Sequence, residues 1–301
     1  MIRQLLFFIS ILFLWSSCEA PRKNTSKNNI VQNGQSLLWE IQKDGIAHKS
    51  YLFGTFHLLC KQDIHFSKSL EQSLASASQL YLEMDLNDPA NTIGILKGMN
   101  MRGDTSLLEL IGKDQYTKLA RFFDDTLHIG LSMFERMKPA LLSSMLYPAM
   151  MPCKTVTGME TELMRLAAEK KIKVMGFETI ADQTAIFDQI PYKTQAEELM
   201  HMIDSLPKYK QYFNDMLTTY LQEDLQAIEQ SFSKEPGFDQ QRPFLLDNRN
   251  IQWVKKLKTI LPTTPVFIAV GAGHLSGKMG LIELLRREGY TVRPVDQTKT
   301  R

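Results

Sequence analysis

The sequence predicts an α/β fold: a central mixed β-sheet with flanking helices and a large helical insertion. Three observations predict it. Strand patterns stand near both ends of the 301-residue chain, a long methionine-rich helical stretch lies between them, and the last segment reads strand, helix, strand. With 44% hydrophobic and 23% charged residues, the chain has enough apolar side chains for one large core.

Residues 1–17 stand apart from that core. Arg3 gives a positive start, Leu5 to Trp15 an apolar run, and Ser16-Ser17 the small residues before a cleavage point. As a helix that run would reach roughly 16 Å, too short for a hydrocarbon core of about 30 Å. It is therefore read as an export signal. Cys18, directly after the two serines, resembles the lipobox cysteine of bacterial lipoproteins, which becomes the lipidated N-terminus; Trp15 stands where that pattern usually has leucine. The expectation is a protein exported to the cell envelope and tethered through Cys18 to a membrane, on its periplasmic or surface side. Residues 18–35 read as a polar, flexible linker, and residues 36–301 as a single α/β domain.

Charge limits the partners. The 35 basic and 33 acidic residues nearly cancel, with no basic stripe, so nucleic acid is not an expected partner. Beyond Cys18 only Cys60 and Cys153 remain. An oxidising compartment and an even count favour a disulfide between them, with a metal-side thiol at Cys60 as the other reading.

The elements follow in order. "LLWEIQKDGIAHKSYLFGT" reads as a hairpin turning at Asp44-Gly45. "SKSLEQSLASA" suggests a short helix carrying Leu70 and Leu74 on one face. "QLYLEMDL" alternates, with Leu80, Leu82, Met84 and Leu86 on one face and Tyr81, Glu83 and Asp85 on the other. "DQYTKLARFFDDTL", "PALLSSMLYPAMM" and "ETELMRLAAEKK" have helical spacing, Pro139 suits a first turn, and the methionines read as adaptable core filler. "IKVMGFE" is a short buried strand. Helices then fill residues 195–232, and "NRNIQWVKKLKTIL" adds another. Val266–Val270, the helix closed by Gly289 and Thr291–Val295 complete a βαβ unit.

One pattern occurs twice. "YLFGTFH" and "VFIAVGAGH" each run from an apolar strand to a glycine and, three residues on, a histidine. A glycine at a strand's carboxyl end permits a sharp turn, and the following side chains face the crevice where α/β folds gather ligands. If both strands share a sheet, His57 and His274 converge. Glu83 and Asp85, ending another strand, are the candidate carboxylates beside them. Two imidazoles and a carboxylate with open positions form a catalytic rather than a closed structural metal arrangement. The other histidines, 48, 65, 128 and 201, lack this context and read as surface residues.

"FGTFH", "YLEMD", "TGMETELMRLAAEKKIKVMGFET" with Gln183, "DNRN" and "VGAGHLSGKMGLIELLRREGYTV" follow one another as in the TraB/GumN family. That family is related to the Tiki metalloproteases and, remotely, to erythromycin esterases and a haem-binding lipoprotein group. The resemblance spans Trp39 to Val295. It implies a divalent-metal-dependent peptidase or related hydrolase acting on a peptide or protein, with Mn²⁺ or Co²⁺ suggested for the Tiki members and Zn²⁺ a further candidate. Carried over, His57, His274 and Glu83 are the metal ligands.

On that basis metal-bound water supplies hydroxide, Glu160 or Glu178 acts as general base, and Arg249 holds a substrate carboxylate or the oxyanion. Each has a structural alternative. For Asp85 it is a helix cap, for Glu160 a partner to a helix dipole, for Glu178 bonds to backbone donors, and for Arg249 a structural ion pair. Rival functions are a haem-binding lipoprotein without catalysis and a metal-free esterase using a histidine base. Dinucleotide binding fails on spacing, because "GAGHLSG" places its glycines as G-x-G-x-x-x-G, one residue off the fingerprint.

Overall fold

The computed structural model describes residues 36–85, 98–233 and 238–297. Cys18, the expected leader and linker, and Leu86 lie outside the described residues. Eight strands are present among them: β1 Leu38–Gln42, β2 Ser50–Thr55, β3 Leu59–Cys60, β4 Gln79–Met84, β5 Val156–Thr157, β6 Lys173–Glu178, β7 Val266–Gly271 and β8 Thr291–Pro294. Six form one sheet in the order β6-β4-β7-β2-β1-β8, while β3 and β5 pair separately. β2, β7, β4 and β6 are mutually parallel and β1 runs antiparallel to both β2 and β8, so the sheet is mixed. The α/β prediction therefore holds.

The hairpin turns as expected, with Gly45 at φ 83°. Twelve α-helices lie among the described residues, and the ten of at least six residues build the helical layers. They are α1 Lys68–Ala75, α2 Leu107–Phe122, α3 Pro139–Ser144, α4 Met159–Glu169, α5 Ile180–Ile186, α6 Tyr192–Asp204, α7 Leu206–Leu221, α8 Leu225–Ser233, α9 Asn248–Ile260 and α10 Leu281–Arg287. Local chemistry sets several starts. Ser67 accepts from the Leu70 amide at α1, and Ser106–Glu109 and Thr179–Asp182 form capping boxes at α2 and α5. The segment "PALLSSMLYPAMM" is not one helix: α3 stops at Ser144 and a separate turn covers Tyr147–Met150. Pro148 has no amide proton and its ring crowds the carbonyl four residues back, which breaks the ladder there.

Two sequence readings change in three dimensions. The terminal βαβ unit does not place its strands side by side, because β8 pairs with β1, two strands away from β7. And β4 does not show one buried and one open face. Leu80 to Met84 are all buried, since helices cover both sides of a central parallel strand. The same cause makes all of Val266–Val270 apolar and buried.

Candidate functional site

Four parallel strands deliver their carboxyl ends to one edge of the sheet. β2 leads into His57, β4 carries Glu83, β6 ends at Glu178, and β7 leads into His274. Thr55 pairs with Gly271 across β2 and β7, so the two glycine–histidine segments are neighbours in space. The glycines serve a different purpose from the expected sharp turn, since neither has positive φ. They give room. A Cβ on Gly271 would stand 3.1 Å from His57 Nε2 and 3.3 Å from Glu83 Oε1, and one on Gly54 would meet Leu275 at 3.0 Å and the Ala272 backbone at 3.1 Å.

His57, Glu83, Glu160, Arg249 and His274 are all buried, and Glu178 is half-buried. Glu83 sits at the middle. Its Oε1 accepts from the Gly271 amide at 2.9 Å and lies 3.8 Å from His57 Nε2 and 3.7 Å from His274 Nε2. Its Oε2 accepts from Arg249 Nη2 at 2.6 Å and Gln183 Nε2 at 3.2 Å. Of the two carboxylates singled out on β4, Glu83 is the one between the imidazoles; Asp85 lies one residue beyond the strand, half-buried. Burial opposes ionisation of Glu83. The Arg249 charge, the imidazoles and the Gly271 amide outweigh it and hold the carboxyl well below its ordinary range.

Each histidine is oriented by an oxygen at its other nitrogen. His57 Nδ1 lies 2.7 Å from Glu160 Oε1, which also accepts from Thr55 Oγ1 at 2.5 Å. Burial pushes His57 down, but Glu160 and Glu83 prevail and raise it above its ordinary value. His274 Nδ1 meets Asn250 Oδ1 at 2.7 Å. Asn250 Nδ2 donates to the carbonyls of Met279 at 2.8 Å and His274 at 3.3 Å, so Oδ1 is the accepting atom and Nδ1 carries the proton. The Nε2 lone pair of His274 then faces Glu83 and Arg249. Burial, with the Arg249 and His57 charges against the attraction of Glu83, pushes His274 down to about 3, so it is neutral.

Glu178 and Arg249 lock together. Arg249 Nε and Nη2 reach both Glu178 oxygens at 2.8–3.1 Å. Trp253 Nε1 donates to the same carboxylate at 3.0 Å, and its ring lies 4.8 Å below the guanidinium and 4.5 Å from His274. Asn250 and Trp253 were not singled out from sequence. Their signal was present: Arg249, Asn250 and Trp253 sit at i, i+1 and i+4 of α9, putting polar groups on the face that also buries Val254 and Leu257. Among the described residues of the site, two buried acceptors have no hydrogen-bond partner, Glu160 Oε2 and Gln183 Oε1.

The remaining histidines are not all surface residues. His65 and His128 are exposed, whereas His48 and His201 are half-buried; His48 Nε2 meets the Leu261 carbonyl at 3.0 Å. Cys60 and Cys153 are joined by a disulfide, their Cα atoms 5.9 Å apart across 93 positions. It flanks the site. β3 begins two residues after His57, and β5 ends three residues before Glu160. The Met159 amide also donates to the Phe56 carbonyl.

Two imidazole Nε2 atoms with their Nδ1 positions tied to oxygen, and one ionised carboxylate oxygen, are donors of the types that divalent ions take. Two donors on one tetrahedral metal stand about 3.4 Å apart for bonds of about 2.1 Å, close to the 3.7–3.8 Å found here. Among the described residues no group of three His, Cys, Asp or Glu side chains has the geometry of a formed metal site. Arg249 Nη1 lies 3.2 Å from His274 Nε2 and engages its lone pair.

A buried imidazole–carboxylate–guanidinium cluster at the carboxyl ends of parallel strands lies where α/β proteins gather their ligands. The profile of the TraB/PrgY/gumN family matches residues 37–294, and the chain belongs to that family. Among curated relatives it is similar to metalloprotease TIKI2 of Danio rerio, 22% identical over 91% of this chain and 62% of that protein. Metalloprotease TIKI1 of Homo sapiens is 22% identical over 95% of this chain and 67% of that protein. An uncharacterized protein of Treponema pallidum is 20% identical, covering 93% and 90%. The chain thus spans less than two thirds of the length of the zebrafish relatives. No solved structure matches it.

Proposed function

We propose that the chain is a divalent-metal-dependent peptidase or related hydrolase, exported and lipid-anchored through Cys18 to the cell envelope, acting on a peptide or protein. One observation carries the reading. His57 Nε2 and His274 Nε2 both approach a single Glu83 oxygen, at 3.8 and 3.7 Å, while an oxygen acceptor orients each ring from behind. His57, His274 and Glu83 would hold the ion, which, when bound, lowers the pKa of a water toward about 7 and polarises the scissile carbonyl.

The chain's other groups divide the remaining work. Glu160 is the general base, because its Oε2 has no hydrogen-bond partner while both oxygens of Glu178 are held by Arg249, Trp253 and Gln183. Glu178 positions Arg249, and Arg249 offers its N–H to the developing oxyanion. Burial excludes water and strengthens each of these contacts. Elemental analysis of purified wild type beside His57→Ala and His274→Ala tests the site. The expected result is bound divalent metal in wild type alone, with peptide cleavage lost on chelation and restored by Mn²⁺, Co²⁺ or Zn²⁺. Equal metal content in all three proteins would refute it. One observation favours a metal-free hydrolase with His57 as base, namely the Arg249 contact to His274; activity that survives chelators would select that reading.

A further inference from the structure

We propose that a cavity beside the His57–Glu160 pair is the subsite for a basic side chain of the peptide, its apolar depth taking the aliphatic stem and Asp63 and Glu223 the cationic head. The occupant rests on the peptidase reading above; the cavity itself does not.

The cavity lies between β2, α1 and the end of α7 and has a volume of about 390 Å³, within the range of about 300–1,000 Å³ that ligand pockets occupy. Phe53, Leu59, Leu70, Met159 and Tyr220 line its depth and are all buried. Those residues also back the site. Met159 precedes Glu160 and Leu59 follows His57 by two positions, while Tyr220 Oη donates to the Gly54 carbonyl at 2.8 Å and meets the Met159 sulfur at 2.8 Å. Burial, then the charges of Glu160 and Glu223, push the Tyr220 hydroxyl well above its ordinary value, so this side chain lies in the field of both the site and the mouth. His57, Glu83, Glu160, Arg249 and His274 are each no more than 9% exposed. A peptide must therefore be gripped outside them, and this cavity reaches down to the residue next to Glu160.

The mouth is acidic. Asp63 and Glu223, both half-buried, line it, and the described lining residues include no lysine or arginine. Asp63 makes no hydrogen bond or ion pair among the described residues. Glu223 stands in left-handed backbone at φ 59°, two positions past α7, and its Oε2 accepts from Gln297 Nε2 at 2.9 Å. An apolar shaft ending in two carboxylates fits an alkyl chain ending in an ammonium or guanidinium. The methylenes are buried while the head stays at the wet mouth, where Asp63 gains charge-assisted hydrogen bonds. An acidic side chain is repelled there, and a short polar one leaves the apolar depth unfilled.

The test is calorimetric titration of the full-length protein with blocked tripeptides whose middle residue, between alanines, is lysine, norleucine or glutamate. Chelator is present, so that binding is read apart from cleavage. Norleucine keeps the stem and lacks the ammonium. The lysine peptide is expected to bind at least about 10-fold tighter than the norleucine peptide, the scale of a hydrogen bond to a charged group, and the glutamate peptide weakest. The double variant Asp63→Asn, Glu223→Gln keeps the shape of both side chains and removes both charges; it is expected to bind the lysine and norleucine peptides alike. Equal binding of those two by wild type, binding of none of the three, or an undiminished lysine preference in the double variant would each overturn the proposal. Should the double variant not fold, Asp63→Asn alone decides: a reduced preference supports the subsite and an unchanged one refutes it. The two readings fail separately. Lysine preference without chelator-sensitive cleavage keeps the subsite and removes the peptidase, whereas chelator-sensitive cleavage without lysine preference removes only the subsite.

Discussion

Breaking the Cys60–Cys153 bridge should loosen both the fold and the His57–Glu160 contact. The bond closes a loop of 93 positions. Chain-entropy closure for that length contributes about 16 cal/mol/K, or about 4.6 kcal/mol at 25 °C, by restricting the unfolded chain. For a domain spanning residues 37–294, an unfolding entropy of about 2.1 cal/mol/K per residue turns this into a drop of about 8 °C in Tm. The local effect is more specific. β3 and β5 tie the segment after His57 to the segment before Glu160, so the bond holds the 2.7 Å His57–Glu160 contact in register. Cys153→Ala is the better perturbation, because Cys153 is half-buried whereas Cys60 is only 1% exposed. Urea unfolding gives the stability, and peptide cleavage well below Tm gives the site effect. A variant whose urea midpoint equals that of the oxidised wild type would refute the reasoning, as would full activity in a protein shown to have lost the bond.

Further outcomes follow from the same geometry. His274 is buried and neutral, with its pKa pushed down to about 3 against about 6.5 unfolded. Between those values only the unfolded chain takes up the proton, so stability falls as pH falls. The loss from this residue is about 2.7 kcal/mol at pH 4.5, and His57, shifted upward, acts above that window with opposite sign. Urea midpoints of wild type and His274→Gln from pH 7 to 4.5 should therefore differ in slope; parallel curves would contradict a buried neutral imidazole. Gly271→Ala drives a methyl to within 3.1 Å of His57 Nε2, and should cost about 1–3 kcal/mol of stability by overpacking. It should weaken Co²⁺ binding by more than that strain alone explains, and wild-type affinity in a Co²⁺ titration would show that the glycine is not reserved for the histidine.

Much of this protein was legible in the residue order. The repeat of glycine, two spacers and histidine picked out two imidazoles that the fold brings beside one carboxylate, since a parallel strand's carboxyl end has a fixed address in an α/β fold. Alternation in "QLYLEMDL" marked out Glu83 and Asp85 alike, because two residues on the same side of a strand cannot be ranked by period. Their ranking came from β4 ending at Met84, which leaves Glu83 within the sheet beside Gly271. Glu160 and Glu178 were interchangeable as bases in sequence. Packing separated them, giving Glu178 to Arg249 and Trp253 and leaving one Glu160 oxygen without a partner.

Local pattern thus determined the strands, the helix starts and the inventory of reactive groups, because these depend on neighbours three or four residues away. Tertiary structure alone decided the strand order that put β8 beyond β1, the close approach that made Gly54 and Gly271 necessary, and the placing of Arg249 against His274. Those depend on distances between residues 25 to 217 positions apart (Arg249 to His274, His57 to His274), and such distances are set by packing and charge in the folded chain, not by spacing along it.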